Sequence, residues 1–271
     1  MSSLSFKDFK KTVVINNNKD APQASVDLPS NRAKALIRPM KVKDQKDFLK
    51  ALEKRDEFLI NEAFDKILSA CVISINDEPF DNDKICVQDR MFLLIKIKEL
   101  SSGSKINIPH VITDSEGKEK TQQIEVDMST FNIVYKEGDV EQEMFINPDT
   151  KLILGPSTRK NEKDLEKWIK TKAVSKESIV ERRFSAYATL IKEIWFRQTD
   201  EKGEKKDFEQ ISTSFDETVE FVIDVCTDKD LRKFEEYAKE LDFGIKLVVP
   251  VHLPGYDNDN EEVNLISFFI T

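Results

Sequence analysis

Early in the chain, apolar residues recur at the three-and-four spacing of amphipathic helices. Phe48, Leu49 and Leu52 share one face of a segment from about Lys43 to Lys54. Phe58, Leu59, Ala63, Ile67, Leu68 and Cys71 share a face of a second segment, and Asp56 is placed to cap its first turn. A third helix is expected from about Gln88 to Leu100, with Met91, Leu94 and Ile95 on one side and Phe92 and Ile97 widening the apolar arc. Ser101-Ser102-Gly103 ends it, because glycine takes positive φ past a last helical turn without strain. Ahead of these helices, Ala35-Leu36-Ile37-Arg38 reads as a short strand stopping near Pro39.

The period then changes to two. Ile106 and Ile108 alternate with polar residues, as do Ile124 and Val126, and Thr113 to Lys118 between them reads as a hairpin turn. Phe131, Ile133, Tyr135, Met144 to Asn147 and Lys151 to Leu154 continue the β character, so one small antiparallel sheet is expected at about 104–155. Helical spacing returns with Leu165, Trp168 and Ile169. It continues in a longer run marked by Ile179, Arg183, Phe184, Tyr187, Leu190, Ile191 and Ile194. Ser214 and Glu217 form a capping-box pattern before Val219, Val222 and Ile223. Asp228 is expected to cap a last helix, carrying Leu231, Phe234, Tyr237 and Leu241 and closed by Gly244. Ile245 to Val251 and Val263 to Ile270 read as a terminal hairpin.

The expected fold class is α+β: a helical body with two small antiparallel β-hairpin or sheet excursions. It divides into an N-terminal arm (1–33), a helical region (34–103), a small β region (104–156) and a C-terminal helical region ending in a hairpin (157–271). Asn16-Asn17-Asn18-Lys19-Asp20, Pro22 and Pro29 break regular structure in the arm, while Phe6 and Phe9 give it an apolar face able to order against a neighbour.

Charge narrows the partners. The 271 residues carry 42 Lys and Arg against 51 Asp and Glu, a net charge of −9 without a basic stripe, so bare nucleic acid is an unfavourable partner. Met1 to Asp20 lacks the apolar core of a secretory signal, and no apolar run approaches the ~20 residues of a membrane span. Cys71, Cys86 and Cys226 are widely spaced and odd in number, which suits buried thiols in a reducing compartment.

Candidate chemistry is sparse. The two histidines, His110 and His252, each follow an apolar strand and a proline and precede a polar turn, and each segment follows a helix ending near a glycine, Gly103 or Gly244. They are the weak candidates for metal, but a zinc knuckle needs two close ligands and neither hairpin supplies a second Cys or His. The run Asp257-Asn258-Asp259-Asn260-Glu261-Glu262 lacks the glycine and distal glutamate of a calcium-binding helix–loop–helix site. Seven glycines form no phosphate-cradling motif, and no nucleophile elbow is present. No metal, no cofactor and no enzymatic activity are therefore expected. The expected contact residues are Phe6 and Phe9 in the arm and Phe268 and Phe269 at the end, together with the exposed sides of both hairpins.

Three blocks carry a family resemblance. The first is Leu36-Ile37-Arg38-Pro39-Met40, followed by a charged helix, Asp56-Glu57-Phe58-Leu59 and Ile67-Leu68. The second is Asp89-Arg90-Met91-Phe92-Leu93-Leu94, ending in Leu100-Ser101-Ser102-Gly103. The third is Leu265-Ile266-Ser267-Phe268-Phe269. Across roughly 34–128 and 215–271 the chain resembles the baseplate hub subunits and hub-assembly proteins of T4-type bacteriophages with contractile tails. Hairpins in that family often carry C-x-x-C knuckles; here His110 and His252 stand instead, without partners. The resemblance implies a structural or assembly component of the virion's tail baseplate hub, present in the host cytoplasm during assembly. Its implied partners are other hub and tail proteins, with the tape-measure protein as a further candidate, and it implies no catalytic residues. The alternatives are a tail assembly chaperone absent from the mature virion, or a general intracellular protein-interaction adaptor.

Overall fold

The computed structural model describes residues 22–113, 119–172, 178–199, 204–249 and 261–269. Among these lie seven α-helices and antiparallel sheets, an α+β arrangement. The three early helices form as expected: α1 is Val42–Glu53, α2 is Glu57–Cys71 and α3 is Val87–Ser102. The Asp56 carboxylate accepts from the N–H groups of Phe58 and Leu59, satisfying donors that the first turn of α2 leaves open. Gly103 caps α3 at φ +85°. Phe92, Leu93, Leu94, Ile95 and Ile97 are all buried, so α3 is covered on nearly every side and serves as the central post.

Two hydrophobic cores build around it. The first combines α1, α2 and most of α3 with a four-stranded sheet in the order β1-β2-β3-β4: Ala24–Asp27, Lys34–Ile37, Val72–Ile75 and Glu78–Pro79. The hairpin of β5 (Lys105–Thr113) and β6 (Glu119–Asp127) roots in this core through Ile106, Ile108, Ile124 and Val126. The second core holds a sheet in the order β11-β10-β9-β8 (Glu209–Ile211, Ile191–Phe196, Thr150–Leu154 and Gln142–Asn147). Its helices are α4 (Arg159–Thr171), α5 (Ile179–Ala188), α6 (Phe215–Asp224) and α7 (Asp228–Glu240). Short pairs complete the chain: β7 (Ile133–Val134) with β12 (Gly244–Ile245), and β13 (Val248–Val249) with β14 (Glu261–Glu262). Gly244 sits at φ +109°, where an added Cβ would come within 3.1 Å of Gln88 Cβ on α3, so both its conformation and its close approach require glycine.

Several expectations change. Residues 22–33 are not a loose arm: β1 joins the first sheet, and Leu28 is buried. The β structure is a set of small antiparallel sheets, as the expected α+β class has it, but 104–155 is not one sheet. The β5/β6 hairpin stands by itself, β7 pairs with the distant β12, and β8 and β9 belong to the second sheet. The long helix through Ile194 ends at Ala188, because Ile191–Phe196 becomes a strand between β9 and β11. Thr227, not Asp228, caps α7, since only Thr227 stands three residues before the carboxylate of Asp230. The Ser214–Glu217 box forms as read. Leu265–Phe269 is a 3₁₀ turn, not a strand. It returns the C-terminal segment to the first core, so the second core is an insertion between two parts of the first.

The cores are joined by a buried ionic cluster on α2, α3 and α4. Arg159, 1% exposed, places Nε 2.9 Å from both Asp65 carboxylate oxygens and Nη1 2.9 Å from Glu166 Oε1. Arg90 donates to Asp65 Oδ1 at 3.2 Å and to the Asn61 carbonyl at 3.1 Å. Burial opposes the Arg159 charge, but the hydrogen bonds from its guanidinium to Glu166 and Asp65 outweigh it and hold the proton more firmly than usual.

Four measurements follow from this architecture. Arg159→Met leaves Asp65 and Glu166 facing a buried gap and should cost about 3–5 kcal/mol in denaturant unfolding, with Asp65→Leu added to it restoring part of the loss. Phe269→Ala should cost about 3–5 kcal/mol, since the ring packs within 5.4 Å of Phe48 and 5.2 Å of Phe64. Thr227→Ala should cost about 1 kcal/mol near neutral pH. Burial works against the Asp230 carboxylate, yet hydrogen bonds from Thr227 and Lys233 prevail and depress its pKa. Stability from that cap is therefore complete above the ordinary Asp value of about 3.9 and declines as pH falls through the lower folded value. The gap between wild type and Asp230→Asn should narrow across that acid range; a gap constant to the acid limit would contradict the assignment.

Candidate functional site

Titratable side chains of both halves, Cys86, Asp89 and Lys192 among them, line a cleft of about 390 Å³ between the cores. Its inner wall is the first turn of α3. The Asp89 carboxylate, 2% exposed, accepts from the Ser30 N–H at 3.0 Å and from the Ser30 hydroxyl. Burial raises the Asp89 pKa, and the Ser30 bonds offset part of that rise. Cys86, the residue before α3, lies beside Asp89, and burial pushes its thiol up to about 12. Across the cleft, Lys192 on β10 donates to the Pro156 carbonyl at 2.6 Å and to Asn161 Oδ1 at 3.1 Å, and burial lowers its pKa.

This arrangement fastens strands together more than it equips a reaction. A nucleophilic cysteine needs its thiolate favoured, and here the thiol is favoured. Asp89 spends its oxygens tying the chain after β1 to the head of α3, and Lys192 spends its protons tying β10 to the start of α4. Cys71 and Cys226 are likewise raised by burial, to about 11 and about 12. Among the described residues, no group of three or more His, Cys, Asp or Glu side chains could hold a metal ion. None of the described helices is long and apolar enough to cross a membrane.

The sequence-predicted residues scatter. His110 lies on β5 opposite Gln122, while His252, Phe6 and Phe9 fall outside the described residues. Phe268 and Phe269 are not a docking face: they are 0% and 1% exposed. The 3₁₀ turn points both rings inward, Phe269 against Phe48 and Phe64 and Phe268 edge-on to Phe131 at 5.6 Å. Sequence reading passed over Asp89, Lys192 and the ionic cluster. The available signal was charge inside an apolar run, Asp89-Arg90 at the head of α3, where a solvated face would be out of place.

What the described surface offers to a partner is the β5/β6 hairpin. Its nine-residue strands pair in unbroken register from Lys105↔Asp127 to Thr113↔Glu119. It is a two-stranded sheet, so both outer edges lack a neighbouring strand among the described residues. Beyond the buried root, Val111 is 53% exposed.

Comparison with known proteins bears on this picture. A family model described as T4 bacteriophage base plate protein matches residues 21–270. Searches of curated proteins and of solved structures each find no match. The matched span takes in both hydrophobic cores and the β5/β6 hairpin, and on it the chain belongs to the family of T4 bacteriophage base plate proteins.

Proposed function

We propose that this base plate protein is a structural or assembly component of the hub of a contractile tail, acting through contacts with other hub and tail proteins. The observation that carries the reading is the family match over 21–270, on a fold whose cleft residues Asp89 and Lys192 are occupied in holding its own elements together. The described surface supports a contact role: the β5/β6 hairpin extends from the first core with two open edges, the form in which a neighbouring strand adds to a sheet. The arm around Phe6 and Phe9 supplies a second proposed contact. The tape-measure protein is a candidate partner alongside the hub proteins. The chain works in the host cytoplasm during assembly and in the virion afterwards; an assembly chaperone would leave before the particle matures.

Affinity capture of the tagged chain from infected cells should recover hub or tail proteins, and recovery of none would overturn the reading. Mass spectrometry of purified particles then separates a resident hub component, present at defined stoichiometry, from a chaperone, which would be absent. Val111→Glu should change folding stability by no more than about 0.5 kcal/mol, because the site is exposed. The same variant should reduce recovery of hub partners in that capture.

A further inference from the structure

The two outer edges of the β5/β6 hairpin are not equivalent. Along an antiparallel pair, backbone groups alternate residue by residue between facing the partner strand and facing away. The Met128 N–H donates to the Ser104 carbonyl at 2.8 Å, one step beyond the Lys105↔Asp127 pair, and this sets the phase of the ladder. Ile106 and Ile108, with their partners Val126 and Ile124, therefore turn their backbone groups into the hairpin. Lys105, Asn107, Pro109 and Val111 turn theirs out along the far side of β5. Thr121, Gln123 and Glu125 turn theirs out along the far side of β6.

Proline has no N–H to donate. At Pro109 the missing donor falls on the outer edge of β5, so the ladder with β6 is intact and the outer edge is blunted against a further strand. β5 is also the strand that lies against α3 and the 3₁₀ turn Leu265–Phe269. β6 carries no proline. Thr121, Gln123 and Glu125 are exposed, and among the described residues their outward N–H and C=O groups make no hydrogen bond.

The side chains of β6 set the chemistry of what pairs there. Thr121, Gln123 and Glu125 share one face, while Ile124 and Val126 point to the other and are buried. An added strand would set alternate residues beside the polar row and the intervening ones beside the apolar face. Glu125 is the charge on that row. Its side chain is 68% exposed, and its pairing with Lys105 is a long 3.9 Å in open solvent, which leaves it largely unneutralised. A cation on the added strand is thereby favoured. A second copy of this chain would bring an identical acidic edge on a molecule of net charge −9, which is unfavourable.

We infer that the outer edge of β6, from Thr121 to Glu125, receives an extended, proline-free strand of another protein. In that strand β-branched apolar residues alternate with polar ones, and a lysine stands beside Glu125. The inference rests on the reading of this chain as a part that docks to hub and tail proteins, and it names the edge and the strand chemistry.

The probe is the peptide acetyl-Thr-Val-Lys-Val-Thr-Val-Lys-amide, added at millimolar concentration to the purified full-length protein, with glutamates replacing the lysines in a control peptide. Amide exchange followed by NMR should slow about tenfold or more at Thr121, Gln123 and Glu125, and stay unchanged at Asn107 and Val111. Gln123→Pro removes one outward N–H and no ladder bond, and should abolish that protection. Asn107→Pro, the same change on the opposite edge, should leave it intact. Glu125→Lys should reverse the preference between the two peptides. Protection on β5, protection on neither strand, equal protection by the control peptide, or self-association that Gln123→Pro abolishes would each overturn the inference. In capture from infected cells, Gln123→Pro should lose the tail proteins that Asn107→Pro retains. Recovery of none by the unaltered chain would overturn the hub reading, while the exchange measurement would still decide the edge.

Discussion

The arrangement of the whole protein depends on a cation buried between two cores. Arg159 stands at the start of α4, in the second core, yet its guanidinium is closed over by Asp65 from α2 in the first. Removing this charge from water is costly, and the carboxylates of Asp65, Glu166 and Glu162, held at hydrogen-bonding distance, offset that cost. The three helices are therefore required to meet at one angle and one depth, because a displacement of an ångström or two would leave a buried charge without its partner. Arg90, from α3, joins the same carboxylate, so the central post is tied to both sides. A purely apolar junction would tolerate sliding far better.

That rigidity suits a protein that serves as a part among parts. In the cleft beside the cluster a cysteine, an aspartate and a lysine face one space. Burial favours the neutral thiol there, and Asp89 and Lys192 are each committed to neighbouring chain segments. Asp89 holds the turn after β1 against the head of α3, and Lys192 holds β10 against the start of α4, so each fastens elements within its own core beside the seam that Arg159 bridges. The polar groups of the cleft are spent on geometry, and the geometry leaves a long hairpin facing outward.

Where local physics dominates, the residues announced the structure. Asp56 before α2, Gly103 after α3 and the Ser214–Glu217 box before α6 act within a turn of their own position, and each was legible from its neighbours alone. The alternation of Ile106 and Ile108 against Ile124 and Val126 sufficed for the hairpin, since the pairing partners are separated only by a turn. The family resemblance rested on two early blocks and on the closing Leu265–Phe269 segment. The terminal phenylalanines misled because residue type was weighed without knowledge of burial.

Sequence by itself determined the three early helices, the caps at Asp56, Gly103 and Ser214–Glu217, and the first hairpin, because each is settled by spacing within a few residues. Only the tertiary structure decided the rest. Ile191 and Ile194 fit a helix by spacing, yet they form a strand because β9 and β11 offer backbone partners on both sides. Phe268 and Phe269 became core because the chain end returns to α1 and α2, and the distance in sequence between those elements carries no local trace. The same holds for Asp65 and Arg159, 94 residues apart: each alone looks like an ordinary surface charge, and only the closing of one core upon the other turns the pair into the bond between them.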